Sequence, residues 1–427
     1  MIAGLRPYPS YQDSGVEWLG DLPTHWTLRR TKTVLLERSS KGFPNQPLLA
    51  ATQTRGVVRK EHYENRTVLA LRDLHLLKLV HKGDFVISLR SFQGGLECAR
   101  HQGIISPAYT VLYPRDERNR AYLSLVFKSK PYIDNLRLFV TGIRQGQSID
   151  YAKLSRSPLP CPPLTEQEAI ARFLDHVDRR IQRTITAKEK RIALLEEQKK
   201  AIIHQAVTGQ IDVRTGKPYP AYKQSGVAWF GRVPAHWGVR RLRTLASVTT
   251  GGRDTVDRHD EGTYPFFVRS QTVERINSWS FDGEAVLTAG DGVGVGRVFH
   301  YAKGKFDFHQ RVYKFSDFGD VLGRYFFHYI RASLRFEVMQ GTAKSTVDSL
   351  RLPRLRGFPV AVPSPADQSS IANFLDAYAA RMDKRLDNVR YGICLLREYR
   401  TRLIADVVTG KLDVREAAAA LPDTAPV

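Results

Sequence analysis

The same twenty-residue passage occurs twice in this chain of 427 residues. Residues 11–30 read YQDSGVEWLGDLPTHWTLRR, and residues 222–241 read YKQSGVAWFGRVPAHWGVRR, with eleven identical positions at a constant offset of 211. Four of the five tryptophans lie in these two copies, which we call the first and second repeated blocks. Because chance does not place so rare a residue type twice at identical spacing, the chain contains an internal repeat, and its fold must accommodate the block twice.

A second repeat follows each block further along the chain. Residues 162–181, PPLTEQEAIARFLDHVDRRI, align with residues 363–382, PSPADQSSIANFLDAYAARM, at an offset of 201. Apolar residues three and four positions apart predict one long helix after each alignment start. The first predicted stripe is Ile170, Leu174, Val177, Ile181, Ile185, Ile192, Leu195 and Ile202, and the second is Ile371, Leu375, Tyr378, Met382, Val389, Leu396 and Leu403.

Local signals predict where these helices begin and end. Thr165-Glu-Gln-Glu168 has the form of a capping box, and Ser364 followed by Pro365 predicts an N-cap and a first helical residue. Gly209 and Gly410 are the predicted C-terminal stops. Some 43 residues at 1.5 Å each make a rod of roughly 65 Å.

A rod with a single apolar stripe cannot bury that stripe alone. Two rods in one chain can bury their stripes against each other, so we predict two long antiparallel helices that form a coiled-coil spacer. One domain at each end and a pseudo-twofold internal repeat complete this prediction. The alternative is that each helix packs only on its own globular domain.

The variable regions between the repeats are about 31–157 and 242–357. Short β-favouring runs separated by glycine turns predict an α/β domain in each region, so the predicted fold class is mixed α+β. The predicted boundaries are 1–160 for the first domain with its block, 161–209 for the first long helix, 210–360 for the second domain with its block, 361–410 for the second long helix and 411–427 for a C-terminal tail.

Charge and cysteine content restrict the partners and the compartment. The formal net charge is +22, and an excess of this size costs self-repulsion unless a polyanion neutralises it, which favours nucleic acid. The chain has no run of eighteen apolar residues and no apolar signal core at its beginning, so we expect neither a membrane span nor secretion. Cys98, Cys161 and Cys394 lie far apart, which predicts a reducing cytoplasm and neither a disulfide framework nor a zinc site.

These motifs resemble those of the DNA-specificity (S) subunit of type I restriction–modification systems. An S-G-V-x-W-x-G-x-x-P-x-H-W block, a variable region and an E/D-Q-x-x-I-x-x-F-L-D helix occur twice in that order and cover the chain to about Arg415. The resemblance implies that each variable region is a target recognition domain for one half of a split DNA sequence. It also implies that the paired helices are the spacer between them.

The resemblance further implies the partners and the compartment. Two methyltransferase (M) subunits would dock on the repeated blocks and methylate adenine, and ATP-driven restriction and translocase (R) subunits would join for cleavage. The chain itself would be non-catalytic and hold no cofactor, with S-adenosylmethionine, ATP and magnesium bound by the partner subunits. Double-stranded DNA would be its ligand, in a bacterial or archaeal cytoplasm.

Two other classes of protein are weighed against this one. A stand-alone adenine methyltransferase needs an Asn/Asp-Pro-Pro-aromatic motif, and Cys161-Pro-Pro-Leu164 lacks both the acidic and the aromatic residue. A non-specific nucleic-acid-binding coiled-coil adaptor would account for the charge, but it has no use for two long variable domains. Gly290-Asp-Gly-Val-Gly-Val-Gly296 is followed by a strand-like run rather than a helix, so we predict a tight β-loop instead of a dinucleotide site.

Arginine and glutamine in turn-rich stretches are the candidates for reading bases, because arginine bonds guanine and glutamine bonds adenine in the major groove. For each single residue, a plain surface or fold-stabilising role is an equal alternative. The DNA-binding candidates are Thr52, Gln53, Thr54, Arg55, Arg90, Ser91, Gln93, Arg144, Gln145, Gln147, Arg253, Arg269, Ser270, Gln271, Arg297 and Lys344.

The repeated blocks supply the candidates for partner docking. Their aromatic and histidine residues are Trp18, His25, Trp26, Trp229, His236 and Trp237. The favoured alternative is a packed structural segment in which proline and glycine fix turns and tryptophan fills apolar contacts. No cysteine or histidine stands at metal-binding spacing beside either histidine, so we do not expect a metal there.

Overall fold

The computed structural model describes residues 5–53, 55–62, 73–142, 147–229, 231–339 and 350–422. The chain divides into two compact units. Unit 1 consists of residues 1–187 and 391–427, and unit 2 consists of residues 188–390. Each unit therefore contains one repeated block, one variable region, the beginning of one long helix and the end of the other.

Short strands and short helices build the first part of unit 1. The strands are β1 (Tyr11–Asp13), β2 (Asp21–Pro23), β3 (Thr27–Arg30), β4 (Leu35–Arg38), β5 (Leu49–Thr52), β6 (Gly56–Arg59), β7 (Lys78–Val80), β8 (Phe85–Ile87), β9 (Glu97–Cys98), β10 (Gly103–Ile105), β11 (Thr110–Pro114), β12 (Val140–Thr141), β13 (Ser148–Ile149) and β14 (Pro158–Cys161). The short helices are α1 (Thr31–Val34), α2 (Ser91–Gly94), α3 (Arg120–Lys128), α4 (Lys130–Leu136) and α5 (Tyr151–Leu154).

The variable region of unit 1 contains a four-stranded antiparallel sheet in the order β4-β11-β8-β9. Phe85, Val86 and Ile87 of β8 are all buried, as expected for a strand that is covered on both faces. Helix α3 packs against this sheet, with the rings of Phe127 and Phe85 5.0 Å apart in an edge-to-face arrangement. Strand β3 of the first block pairs with β14, which ties the block to the strand before the first long helix.

That helix, α6 (Leu164–Val207), contributes its first part to unit 1 and its last part to unit 2. Unit 2 contains the remaining strands and two further helices. The strands are β15 (Tyr222–Gln224), β16 (Arg232–Pro234), β17 (Gly238–Arg241), β18 (Ser247–Thr250), β19 (Tyr264–Phe267), β20 (Glu274–Ile276), β21 (Phe281–Ala289), β22 (Phe299–Phe308), β23 (Val312–Ser316) and β24 (Pro359–Val362), and the helices are α7 (Gly323–Met339) and α8 (Leu352–Arg356).

A six-stranded sheet in the order β18-β23-β21-β22-β19-β20 forms the variable region of unit 2. Its strands pair antiparallel except β19 and β22, which run parallel. Strands β15, β16, β17 and β24 reproduce the pairings of β1, β2, β3 and β14. The two repeats are therefore alike in the block and unlike in the sheet that each block carries.

The second long helix is α9 (Pro365–Val408), and a short helix, α10 (Arg415–Ala419), follows it. In unit 2 the two long helices run antiparallel, because Glu196 pairs with Arg390 at 3.0 Å while the later Lys199 pairs with the earlier Asp383 at 2.6 Å. In unit 1 the beginning of α6 lies beside the end of α9, where Asp178 pairs with Arg400.

The predicted apolar stripes are mostly buried. In unit 1, Ile170, Leu174, Val177, Ile181 and Ile185 of α6 are all at most 6% exposed. Ile371, Leu375, Tyr378, Met382 and Val389 of α9 are buried in unit 2, and Leu403 is buried in unit 1. Burying a leucine or isoleucine side chain stabilises a fold by about 1.5–3 kcal/mol, so these stripes hold the long helices in place.

The start of α9 is as predicted, and that of α6 is not. The Ser364 hydroxyl accepts the Asp367 N–H at 3.2 Å, and Pro365 is the first helical residue. The predicted capping box at Thr165 is wrong, because it would make Glu166 the first helical residue, whereas α6 begins two residues earlier, at Leu164, and Thr165 lies inside its first turn. The following residue, Glu166, has a different role, described below.

Candidate functional site

The first repeated block meets helix α6 at one buried carboxyl group. Glu166, in the first turn of α6, is 4% exposed and contacts three polar side chains of unit 1. Tyr8 OH and Trp26 Nε1 donate to its Oε1 at 2.6 and 3.0 Å, and His25 Nε2 lies 2.8 Å from its Oε2. Burial, together with the hydrogen bond to Glu166, raises the pKa of Tyr8, so this hydroxyl keeps the proton that it donates. We call these four residues the Glu166 hub.

The second block meets helix α9 in a related but smaller arrangement in unit 2. Asp367 is 5% exposed, its Oδ2 lies 2.9 Å from His236 Nε2, and its Oδ1 pairs with Arg214 at 3.0 Å. Trp237 Nε1 has no hydrogen-bond acceptor among the described residues, although its counterpart Trp26 donates to Glu166. Aspartate is one methylene shorter than glutamate, which accounts for this lost contact. We call Asp367, His236, Arg214 and Trp237 the Asp367 hub.

A glycine at the end of the other long helix closes each hub. Gly410 in unit 1 and Gly209 in unit 2 have φ angles of 78° and 73°, in the left-handed region. A Cβ at Gly410 would lie 2.5 Å from Pro23 Cδ, and one at Gly209 would lie 2.4 Å from Pro234 Cδ. Because only glycine meets both conditions, the repeated glycine and the repeated proline form one packed junction.

Burial divides the predicted docking residues into two groups. Trp26 and Trp237 are 2% and 0% exposed, so we correct their assignment from docking surface to core. Trp18 and Trp229 are half-buried, with Trp18 against Tyr132 at 5.7 Å and Trp229 stacked on Phe336 and Phe358. His25 and His236, with side chains 37% and 51% exposed, keep an accessible imidazole on a buried carboxyl group and stay candidates for docking.

Loops of unit 2 bring two candidate DNA-binding residues, Arg253 and Arg269, together with three residues that were not among the candidates. Asp291, in the glycine-rich turn after β21, accepts hydrogen bonds from Arg269 and from Arg311, each at 2.9 Å. Gln310, beside Arg311, donates its backbone N–H to the Arg253 carbonyl at 2.8 Å. We call Arg253, Arg269, Asp291, Gln310 and Arg311 the unit 2 loop cluster. Four of its side chains can donate to base edges or phosphates, and all four are exposed.

Unit 1 brings together a different set. Gln53, after β5, donates from Nε2 to Gln93 Oε1 of α2 at 2.9 Å, although the two residues lie 40 positions apart. Arg55 and Arg90 are exposed on the same two loops. We call Gln53, Arg55, Arg90 and Gln93 the unit 1 loop cluster. It pairs two amides where unit 2 pairs arginines with a carboxylate.

For two predicted base-reading residues, burial and hydrogen bonds contradict the prediction. Thr52 is 5% exposed, and its hydroxyl accepts the Arg55 N–H while donating to the Gly56 carbonyl, both at 2.9 Å. Ser91 is 2% exposed, and its Oγ accepts the Ser88 N–H at 2.9 Å. Both hydroxyls hold turns in place, so neither reads a base.

The remaining candidates are placed as follows. Gln147 and Arg297 are exposed, and Gln271 is exposed with its amide 3.4 Å from the Phe299 carbonyl. Ser270 is exposed and accepts the Thr272 N–H on its hydroxyl and the His300 imidazole on its carbonyl. Thr54, Arg144, Gln145 and Lys344 lie outside the described residues.

Sequence reasoning missed the acidic residues that organise these arginines. Asp307 is 1% exposed and accepts from Arg253 Nε at 3.3 Å, from Ser278 Oγ at 2.8 Å and from Ser280 Oγ at 2.7 Å. In the sequence it stands between two phenylalanines in KFDFH, and only the polar residue in an apolar run signals it. Asp291 stands in the glycine-rich loop, where its sequence context points to a turn.

The rest of the described chain shows neither a metal cluster nor a membrane helix. No group of three or more histidine, cysteine, aspartate or glutamate side chains in the described ranges could hold a metal ion. Within the same ranges, every helix is too short or too polar to cross a bilayer.

Comparison with known proteins finds a matching family and a related protein. A family described as the type I restriction modification DNA specificity domain matches residues 60–194 and 234–389. The specificity subunit of the type I restriction enzyme EcoDI from Escherichia coli is 29% identical over 184 residues, 43% of this chain and 40% of that relative. The match thus spans less than half of the relative's length.

Two solved structures share the fold. One is a chain from a structure that addresses complex assembly and conformational transition of the type I R-M system, with a TM-score of 0.65 and 15% identity over 91% of this chain and 98% of that chain. The other is the HsdS subunit from Thermoanaerobacter tengcongensis, with a TM-score of 0.51 and 13% identity over 92% of this chain and 98% of that one. The family model matches more than half of the residues, in two segments, one in each half of the internal repeat. The chain therefore belongs to the type I restriction modification DNA specificity family.

Proposed function

We propose that this chain is the DNA sequence-specificity subunit of a type I restriction–modification complex and is itself non-catalytic. One observation carries the proposal: two unlike loop clusters are each carried by a copy of the same block-and-helix junction. The similar junctions suit a common role, which is to hold each unit on the long helices. The unlike loops suit a role that differs between the units, which is to recognise different bases. Reading two different halves of one bipartite DNA target on a common frame is such a pair of tasks.

The chemistry of the unit 2 loop cluster suits DNA. Arg269 and Arg311 share one carboxylate, Asp291, and both arginines are exposed. A guanine edge or a phosphate can take the place of that carboxylate for either guanidinium, because each offers the same fork of acceptors. Asp291 thus keeps the arginines in position before DNA arrives.

The unit 1 loop cluster suits a different half-site. The paired amides of Gln53 and Gln93 can each offer a donor and an acceptor to adenine, while Arg55 and Arg90 can reach guanine or phosphate. The net charge of +22 adds a sequence-independent attraction for the DNA backbone. Specificity would therefore come from the loops and much of the affinity from charge.

The long helices would set the distance between the half-sites. Two antiparallel helices of 44 residues each, packed as a coiled coil with a pseudo-twofold axis, form a spacer in this proposal. Their length would fix how many base pairs lie unread between the two recognised halves.

The partners and cofactors follow from the same proposal. Two methyltransferase subunits would dock beside the two hubs, where the exposed imidazoles of His25 and His236 are the strongest candidates for contact. Restriction and translocase subunits would join for cleavage. The partner subunits would bind S-adenosylmethionine, ATP and magnesium, and the complex would act in a bacterial or archaeal cytoplasm.

A methyl-transfer assay tests the proposal. The purified chain alone should transfer no methyl group from S-adenosylmethionine to DNA. Mixed with its cognate methyltransferase subunit, it should direct adenine methylation to one bipartite sequence, mapped by sequencing. Methylation by the chain alone, or methylation that ignores sequence, would contradict the proposal.

Shortening both long helices tests the spacer. Deleting seven residues at facing positions of each helix removes roughly 10 Å, about three base pairs of duplex. The methylated target should keep both half-sites and lose about this many unread base pairs. An unchanged spacer in an active, folded variant would refute the assignment.

A further inference from the structure

An exposed tryptophan stands beside the unit 2 loop cluster. Trp279 is the tryptophan that lies outside the repeated blocks, and 46% of its surface is exposed. The ammonium nitrogen of Lys305 lies 4.5 Å from the centre of its ring. Because moving a large aromatic side chain out of water lowers the free energy, an exposed indole is typical of a binding surface.

The loop that carries Trp279 is anchored on both sides by one buried carboxyl group. Ser278 and Ser280, the residues before and after Trp279, donate to Asp307 at 2.8 and 2.7 Å. The Ser280 N–H also donates to the Phe306 carbonyl at 3.1 Å. Since Asp307 is 1% exposed, these hydrogen bonds are sheltered from water, and they hold the indole outward.

The same carboxyl group also orients a predicted DNA-binding residue. Arg253 Nε donates to Asp307 at 3.3 Å, and the Arg253 side chain is 45% exposed. Arg253 belongs to the unit 2 loop cluster, so Asp307 links that cluster to the Trp279 loop. Two exposed groups suited to DNA, a guanidinium and an indole, therefore share one rigid support.

We propose that Trp279 and Lys305 form a contact with the duplex backbone next to the unit 2 half-site, positioned by Asp307. The Lys305 ammonium pairs with a phosphate, and the indole packs on the adjoining sugar. This inference rests on the proposed function and names a site of that function. Lys305 lies beside the ring and Arg253 is bound to the same Asp307 that anchors the loop, and these two cations favour a polyanion over an apolar protein surface.

The first test measures affinity. The complex of the full chain with its methyltransferase subunit is titrated with a fluorescein-labelled duplex that carries the mapped target, and anisotropy is recorded. Trp279→Ala should weaken binding roughly tenfold, because the apolar surface that the indole buries against the sugar is lost, and Trp279→Phe should weaken it less. Thermal unfolding of each variant checks the fold, because an exposed side chain should be replaceable without loss of structure.

The second test measures salt dependence and has a matched control. Each phosphate contact contributes about 0.9 to the slope of log affinity against log salt, so Lys305→Gln should lower that slope by about this amount. Lys303→Gln removes a charge from the same strand, but Lys303 is 67% exposed and lies 3.7 Å from Glu284. It should leave the slope unchanged.

The third test addresses positioning. The double variant Ser278→Ala, Ser280→Ala frees the loop while keeping both Trp279 and Lys305, so binding should weaken severalfold. Acrylamide should quench tryptophan fluorescence of the DNA complex more strongly in this variant than in the wild type, because the indole is no longer held on the duplex. A merely structural role for Asp307 would not alter quenching in the complex.

The outcomes separate this inference from the proposed function. If the wild-type complex prefers its target to a scrambled duplex while Trp279→Ala binds within twofold of wild type and Lys305→Gln keeps the wild-type slope, the inference is wrong and the proposed function stands. The inference is also wrong if Trp279→Ala weakens association with the methyltransferase subunit but not with DNA. If the wild-type complex binds both duplexes equally, the proposed function itself fails.

Discussion

The Glu166 hub of unit 1 and the Asp367 hub of unit 2 have the same structural role but different hydrogen-bond partners. Glu166 gathers Tyr8, His25 and Trp26 on one carboxyl group, whereas Asp367 holds His236 and pairs with Arg214. Both fasten a repeated block to the first turn of a long helix. A single methylene between glutamate and aspartate decides whether the neighbouring tryptophan is satisfied.

The comparison teaches that repeated sequence does not guarantee repeated contacts. Arg415, the counterpart of Arg214 in the second repeat, binds Asp413 at 2.6 Å and lies 5.2 Å from the Tyr8 ring. Arg214 binds Asp212 and reaches on to Asp367. The hydrogen bond from Arg214 lowers the pKa of Asp212, so this chain of charges stays intact near neutral pH. An ion pair between a half-exposed arginine and a buried aspartate thus replaces part of a buried hydrogen-bond network.

Removing each carboxyl group should change stability the most, and the loss should differ between the two hubs. Glu166→Ala leaves three donors without their acceptor, two of them buried, and should destabilise unit 1 by about 3 kcal/mol. Asp367→Ala removes a carboxylate whose partners, His236 and Arg214, are half exposed and can bind water instead, so it should cost about 1 kcal/mol. Hydrogen exchange measured by mass spectrometry on peptides of each block gives the two losses separately.

A neighbouring residue supplies the control for this comparison. Glu168 lies two positions after Glu166 on the same helix and is exposed, so Glu168→Ala should leave exchange of the first block unchanged. Equal losses for Glu166→Ala and Asp367→Ala would show that the hubs do not differ in strength.

Exchanging the two acids should have a smaller effect of opposite sign in the two units. Glu166→Asp withdraws the acceptor from Trp26 Nε1 and should cost about 1–2 kcal/mol in unit 1. Asp367→Glu brings an acceptor towards Trp237 Nε1 and should stabilise unit 2 by less than about 1 kcal/mol. Exchange of the two indole N–H protons, followed by NMR, reports whether each hydrogen bond is lost or gained.

Acid should weaken unit 2 modestly through its buried histidines. Burial is the main cause that lowers the pKa of His300 and of His328, against the hydrogen bonds to Ser270 and Asp376. Because the unfolded chain then takes up protons first, the stabilisation is complete above the ordinary histidine pKa of about 6.5 and is lost as the pH falls through the lowered values.

The measurement is exchange protection of β22 and α7 at pH 7.5 and pH 5.5, corrected for the intrinsic rate. Protection should fall at the lower pH. In the double variant His300→Gln, His328→Gln, which keeps a donor at each position but cannot take up a proton, the fall should shrink. A fall of the same size in that variant would assign it to other groups.

The repeated parts of the fold were predictable from sequence for a physical reason. Helices of 44 residues carry their apolar period many times over, so α6 and α9 fall within the predicted segments. Gly209 and Gly410 mark helix ends because their positive φ angles suit glycine alone. Whether the long helices form a coiled coil along their whole length stays a prediction.

The site was less predictable because its contacts join distant positions. The bond between Tyr8 and Glu166 spans 158 residues, and the Gln53–Gln93 pair spans 40, so no local pattern reports them. Thr52 and Ser91 have the right chemistry to read bases but are buried in turns, which composition does not reveal. Asp307 stands inside a strand, where sequence alone favours an apolar residue.

Sequencing of duplexes selected from a random pool tests the central claim most directly. The complex with the methyltransferase subunit should retain DNA that has two short specified runs separated by an unspecified stretch of fixed length. The double variant Arg269→Ala, Arg311→Ala should lose the information in one run and keep the other run and the spacing. A single continuous run for the wild type, or loss of both runs in the variant, would contradict two separate readers on one repeated frame.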